Sequence, residues 1–262
     1  MKNLENSTSM PALFIGHGNP MNAITNNPYR EAWQNLSKTL PKPKAILCIS
    51  AHWQTHGTQV CAVLKPKTIH DFGGFPAELF TQQYLAPGAP EYAKLVCEML
   101  RERKVINSME WGLDHGAWSI LQSLFPKADV PVFQLSLDVN LSFSEHFKLA
   151  KQLASLREQG VMILGSGNIV HNLGRLNMQG KTPEWAIEFD EYVKQALESN
   201  DNEALLDIAQ AGNCAMLSVP TEEHYLPLLY IAAMKHADDN MQFLTDSFDL
   251  GTLSMRCVIY RH

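Results

Sequence analysis

The chain carries ten histidines, and several stand where an apolar run gives out. His17 follows PALFI inside GHGNPMNA, His52 follows KAILCIS inside SAHWQTHG, and His171 follows VMILGSGNIV. His115 sits in GLDHGAW and His224 in PTEEHYLP. Imidazole is a ligand for zinc and iron, and each ring carries two polar nitrogens that need partners when buried. One strand-end histidine alone reads best as a hydrogen-bonded structural residue. Several that converge read as a metal centre, and that is the expectation here.

Neighbouring motifs narrow the chemistry. Gly16 and Gly18 permit a positive φ or a close approach of backbone, and Asn19-Pro20 favours a turn, so His17 is expected on a loop. His52 and His56 have H-x-x-x-H spacing, but Trp53 stands where a zinc protease needs Glu, so His56 is read as a bystander. Gly165-Ser166-Gly167 lacks the third glycine of a dinucleotide loop, because position 170 is Val. Neither G-x-S-x-G nor a Walker loop occurs. The segment HDFGGFP reads either as an ordinary turn or as a wall over a pocket, where Phe72, Phe75 and Tyr84 would suit a planar aromatic ligand. The histidines leave a zinc hydrolase open as a rival, with Glu222 or Glu223 as general base to an activated water. A closed structural zinc site fits less well, since such sites use closely spaced Cys and His.

Something must bring these residues together. Apolar runs rich in β-formers occur at PALFI, KAILCIS, TQVCAVL, VPVFQLSL, GVMILGS, MQFLTDSF and LSMRCVIYR. Between most of them lie stretches of helical spacing, at 28–40, 89–103, 117–124, 142–158, 183–198 and 222–236. Pro28 and Pro183 suit a first helical turn, and Ser142 with Glu145 matches a capping box. The alternation predicts an α/β fold, with a central mixed, mostly parallel sheet flanked by helices. KAILCIS and VMILGS read as central strands covered on both faces, and the last two strands as a hairpin joined at Asp249-Leu250-Gly251. Ligands of open α/β sheets collect beyond the carboxyl ends of the strands, where His17, His52 and His171 would meet.

With 262 residues, 45% of them hydrophobic, the chain suits one domain spanning 1–262, its residues 1–9 a flexible N-terminus. A net charge of -6 without a basic run excludes the electrostatic footprint of a nucleic-acid binder. No apolar run approaches the roughly 20 residues that span a bilayer, and MKNLENSTSM lacks the apolar centre of a signal peptide. Five cysteines without CxxC spacing suggest reduced core thiols, hence a cytoplasmic protein. A monomer is compatible with the sequence.

Read in order, GHGNPMNA, SAHW, HDFGGFP, LDHGAW, GSGNIVHN and TEEHYLPL closely resemble the class III extradiol aromatic ring-opening dioxygenases, and within them the 4,5-DOPA extradiol branch. The likeness runs from about Ala12 to Tyr260. It implies a single α/β domain with one divalent metal per chain, zinc in the purified protein and iron(II) for turnover. By the same resemblance His17, His52 and His224 are metal ligands, and His171 is either a fourth ligand or the acid-base catalyst. His115 is implied to contact substrate or oxygen as a second catalytic histidine, and Phe72, Phe75 and Trp53 to bind substrate. The implied partners are dioxygen and a catechol such as DOPA, opened to a muconic semialdehyde, 4,5-seco-DOPA. Ring-cleaving extradiol enzymes often use two histidines and a carboxylate, whereas the third position here is His224. Such a histidine-rich set suits zinc as well as iron.

Overall fold

The structure is a computed structural model that describes residues 9–179 and 181–262. The flexible terminus expected at 1–9 therefore lies outside the described residues except for Ser9, whose hydroxyl meets His236 Nδ1 at 3.3 Å. In chain order the elements are β1 (Ala12–Gly16), α1 (Pro28–Ser37), β2 (Ala45–Thr55), β3 (Gln59–Cys61), α2 (Ala77–Phe80), α3 (Pro90–Met99), β4 (Ile106–Ser108) and α4 (His115–Leu124). There follow β5 (Val132–Asp138), α5 (Phe143–Gln152), β6 (Val161–Gly167), α6 (Glu184–Ser199), α7 (Asn202–Leu206), α8 (Asn213–Ser218), α9 (Leu226–Ala233), β7 (Asn240–Leu244), β8 (Phe248–Asp249), β9 (Leu253–Ser254) and β10 (Cys257–Arg261).

Eight strands form one sheet in the order β4-β3-β5-β2-β6-β1-β10-β7. Its centre, β5-β2-β6-β1, is parallel, and the C-terminal strands β10 and β7 add antiparallel to one edge. The fold is thus a single α/β domain on a mixed, mostly parallel sheet. Side chains of a strand alternate between faces, and both faces are buried. Phe14, Leu47 and Ile163 join the core under α3, α5, α6 and α9, while Leu13, Ile15, Ile46 and Met162 join the core under α1 and α4. That double coverage explains why the central strands read as unbroken apolar runs.

Local signals set the boundaries. Asn27 accepts from Arg30 N ahead of Pro28, and Ser142 and Glu145 make the reciprocal capping box. The helix expected over 222–236 is confined to Leu226–Ala233, because Pro227 fits only its first turn, which leaves His224 in the preceding turn. The C-terminal hairpin is present, with its tip between β8 and β9.

The largest departure concerns β2, which does not stop after KAILCIS. It continues to Thr55 through an irregularity in register between Ile49 and Gln54, so His52 is a strand residue. The short strand β4 and helices α2, α7 and α8 carry too few residues to show a period, and the sequence does not announce them.

A candidate metal centre under an aromatic wall

Three central strands deliver their ends to one place. His17 follows β1 directly, with its N–H donating to the Gly167 carbonyl at the end of β6, 3.0 Å away. His52 projects from the far part of β2, and His115 opens α4, capped by Asp114. His224 is held from β6 as well, its carbonyl accepting from Asn168 N at 2.9 Å. His171, beyond the same strand, pairs its backbone with Leu253 of β9. All five line one cavity of about 430 Å³, together with Phe72 and Phe75. A larger hollow of about 670 Å³ lies beside Asp190 and Arg256, but these two are paired with each other and no histidine reaches it.

Hydrogen bonds fix which nitrogen of each ring is free. The Ser166 hydroxyl has one proton, which goes to the Gly116 carbonyl at 2.6 Å. Towards His17 Nδ1, 2.9 Å away, Ser166 must therefore accept, so His17 carries its proton on Nδ1 and a lone pair on Nε2. Glu223 does the same for His224, accepting from Nδ1 at 2.9 Å. Asp71 serves His115, whose Nδ1 lies 3.0 Å from Oδ2. Partners that hold the outer nitrogen of a ligating imidazole in this way set its tautomer and aim.

The geometry of the inner nitrogens tests whether an ion fits. His17 Nε2 and His52 Nε2 are 3.3 Å apart. Two nitrogens bound about 2.0–2.1 Å from one ion at a near-tetrahedral angle are separated by roughly this distance. The rings of His17, His52 and His224 stand in a nearly equilateral triangle, with centroids 5.1, 5.3 and 5.1 Å apart. Three imidazoles on one ion give centroid separations of roughly 5 Å by the same bond lengths. His17, His52 and His115 also bring one nitrogen each within 4.8 Å of one another, and His171, His224 and a Glu223 oxygen form a second such group. Yet His115 lies only 3.8 Å from His52, centroid to centroid, closer than two ligands of one ion sit comfortably. The residues present fit a divalent metal.

Electrostatics agree. Burial, reinforced by the neighbouring histidines, holds His17 and His224 well below the usual imidazole range. Burial and His115 press His52 to about 3, with Asp71 pulling the other way, and burial lowers His171 to about 4 against the opposing charge of Glu223. Neutral rings keep their lone pairs for a cation. Burial alone would raise Asp71, but the hydrogen bonds and charge of His115 and the nearby His52 bring its carboxyl below the ordinary value.

The aromatic wall is built by the HDFGGFP segment. Phe72 stands edge-on to His115 at 5.5 Å and packs against Phe75, also at 5.5 Å. Trp53, expected among the substrate contacts, is not in the lining. Because β2 continues through it, Trp53 faces away from His52, is buried and stacks on Trp111 at 5.1 Å. Tyr84 is likewise buried in the core, its hydroxyl donating to the Phe125 carbonyl. His56 is exposed and outside the cavity. Asp71 and Ser166 have no signal as ring-holding groups in the sequence, since spacing does not announce a partner 44 or 149 residues away, whereas Glu223 stands directly before the His224 that it holds. As a hydrolytic base Glu223 is poorly placed, because its Oε1 is engaged by His224 and by the Thr221 hydroxyl.

Residues 11–254 match the family described as the catalytic LigB subunit of aromatic ring-opening dioxygenase. The chain belongs to this family. Its members open aromatic rings with dioxygen, and this chain is a ring-opening dioxygenase of the extradiol type. A 4,5-DOPA dioxygenase extradiol of Escherichia coli K12 is 44% identical over 261 residues, covering 96% of this chain and 95% of its own. The protein of the same name from Beta vulgaris is 37% identical, with 92% of each chain covered. A crystal structure of an uncharacterized protein from Escherichia coli K12 superposes with a TM-score of 0.84 at 39% identity, covering 95% of this chain and 99% of the other. For a LigB-family dioxygenase, a histidine cluster at the carboxyl ends of β1, β2 and β6 is the place where a non-haem metal belongs.

Proposed function

We propose that this dioxygenase opens a catechol bearing a small side chain, such as DOPA, outside its two hydroxyls, giving a muconic semialdehyde. The names of the relatives support the choice of substrate. The observation that carries the reading is the histidine triangle under the Phe72–Phe75 wall, in a cavity sized for one ring. His17, His52 and His224 would hold the metal, zinc as purified and iron(II) in turnover. Iron(II), when bound, supplies the electron transfer that lets dioxygen react with a closed-shell ring.

The chain's own residues do the rest. Ser166 and Glu223 keep the Nε2 lone pairs of His17 and His224 facing inward. Phe72 and Phe75 hold the aromatic ring flat and exclude water from one side. His171, at the cavity wall, takes a proton from a catechol hydroxyl and returns it as the ring opens. His115 faces the substrate beside His52. Hydrolysis by Glu223 finds no support in a carboxylate already committed to His224. Five unpaired cysteines suit a reducing, cytoplasmic setting, and among the described residues no helix is long and apolar enough to cross a membrane.

The test is to load the protein anaerobically with iron(II), then add oxygen and a panel of catechols. Oxygen uptake with a yellow semialdehyde product is expected. Ester or amide hydrolysis by the zinc form, without oxygen uptake, would overturn it.

A further inference from the structure

Asp71 meets two of the cavity's histidines at once. Its Oδ1 accepts from the backbone N–H of His115 at 2.8 Å, while its Oδ2 faces His115 Nδ1 at 3.0 Å. The same Oδ2 lies 3.4 Å from His52 Nδ1. The next residue, Phe72, is the one that stands edge-on to the His115 ring. A single carboxylate thus ties the aromatic wall to the histidine that faces the cavity.

Asp71 is not needed to start α4. The N-cap of that helix is Asp114, which accepts from Ala117 N at 3.1 Å and is itself held by the Ser50 hydroxyl and the Gln134 amide. The contribution left for Asp71 is the state of the rings it faces, His52 through a long 3.4 Å contact and His115 through the shorter 3.0 Å one, backed by the bond to the His115 backbone. An ionised carboxylate only accepts, so a neutral His115 must carry its proton on Nδ1. Its Nε2 is then a lone pair, and it is the only acceptor the ring offers to a hydroxyl bound in the cavity. We infer that Asp71 is a positioning residue that fixes His115 as the Nδ1–H tautomer and so makes it a hydrogen-bond acceptor for the catechol, in register with the Phe72 wall. The inference rests on the ring-opening reading of the site.

Asp71→Asn separates orientation from bulk. The backbone N–H of His115 cannot reverse, so it claims the oxygen of the new side-chain amide, and the amide NH2 is turned towards Nδ1. The ring must then shift its proton to Nε2. Long-range proton–nitrogen correlation spectra of zinc-loaded, histidine-labelled protein report this directly, with His115→Gln assigning the signal. The wild type is expected to show Nδ1–H at His115 and Asp71→Asn to show Nε2–H, with metal content unchanged. Turnover of a catechol by the iron form should fall roughly 10–100-fold, the usual range for losing a group that orients a site histidine. Nε2–H in the wild type, Nδ1–H retained in the variant, or loss of metal along with turnover would each overturn the inference. Should Asp71→Asn not fold, the wild-type spectrum decides alone. Should no catechol be cleaved, the ring-opening reading falls while the spectra still decide the role of Asp71.

Discussion

The rings of His171 and His224 lie parallel, 6° apart in plane and 3.4 Å between centroids. Two rings stacked this way cannot both aim a nitrogen lone pair, which lies in the ring plane, at one ion. His224 stands in the triangle with His17 and His52, and the proposed reading therefore gives His171 to proton transfer. Among the described residues no side-chain hydrogen bond holds the His171 ring, as suits a group that gains and loses a proton. His171→Ala should keep its metal and lose roughly 10²–10⁴ in turnover, whereas His224→Ala should lose the metal itself. Metal content beside steady-state rates checks both.

Ser166 offers a second check on the ligand set. Ser166→Ala removes the acceptor at His17 Nδ1, which lies 149 residues away in sequence, and releases the ring to either tautomer. Metal affinity is expected to fall roughly 10–100-fold with the fold intact. Competition with a chelator measures it, and Ser166→Thr, which keeps the hydroxyl, should restore most of it.

Gly116 is a glycine for want of space. A Cβ there would stand 2.5 Å from the Ser50 hydroxyl and 2.9 Å from His52 Cδ2. Alanine is worth about 1 kcal/mol more than glycine inside a helix, but the clash, typically about 1–3 kcal/mol, wins. Gly116→Ala should lower both the thermal midpoint and metal affinity, because Ser50 and the His52 ring must both give way.

Away from the site, His146 gives stability a pH dependence. Its Nδ1 pairs with the Tyr230 hydroxyl at 2.8 Å, and Nε2 is buried without a partner. Burial lowers it to about 4, with Asp138 opposing. The unfolded chain binds this proton near pH 6.5 and the folded chain only near pH 4, so His146 favours the fold above pH 6.5 and loses that contribution as pH falls towards 4. The loss is on the order of 3 kcal/mol. Other buried histidines titrate in the same window, so the comparison is between wild type and His146→Gln: denaturant midpoints should fall less steeply in the variant.

Much of the fold is legible in the sequence, for physical reasons. Apolar runs and helical spacing announce the sheet and its layers, and the glycine turn after PALFI places His17 at a strand end. Gly18 does take the positive φ expected of it, at 58°. His52 reaches the site by a different route from the one its motif suggests, because β2 runs through it rather than stopping before it. Strand alternation then forbids Trp53 from sharing its cavity, which a longer β2 would have foretold. Asp71 and Ser166 are not legible as holders of rings, because such roles depend on which side chain folds opposite which nitrogen, and Glu223, legible as a carboxylate beside His224, serves that ring where the sequence suggests a base.

On the proposed reading, one metal held by His17, His52 and His224 supports oxygen-dependent opening of a catechol. The most direct measurement is oxygen uptake by the iron(II)-loaded wild type and its His17→Ala variant, followed together with semialdehyde absorbance across a catechol series. One dioxygen consumed per ring opened is expected of the wild type, and neither bound metal nor product of His17→Ala. An iron-loaded wild type that consumes no oxygen with any catechol, or a His17→Ala variant that still cleaves the ring, would contradict it.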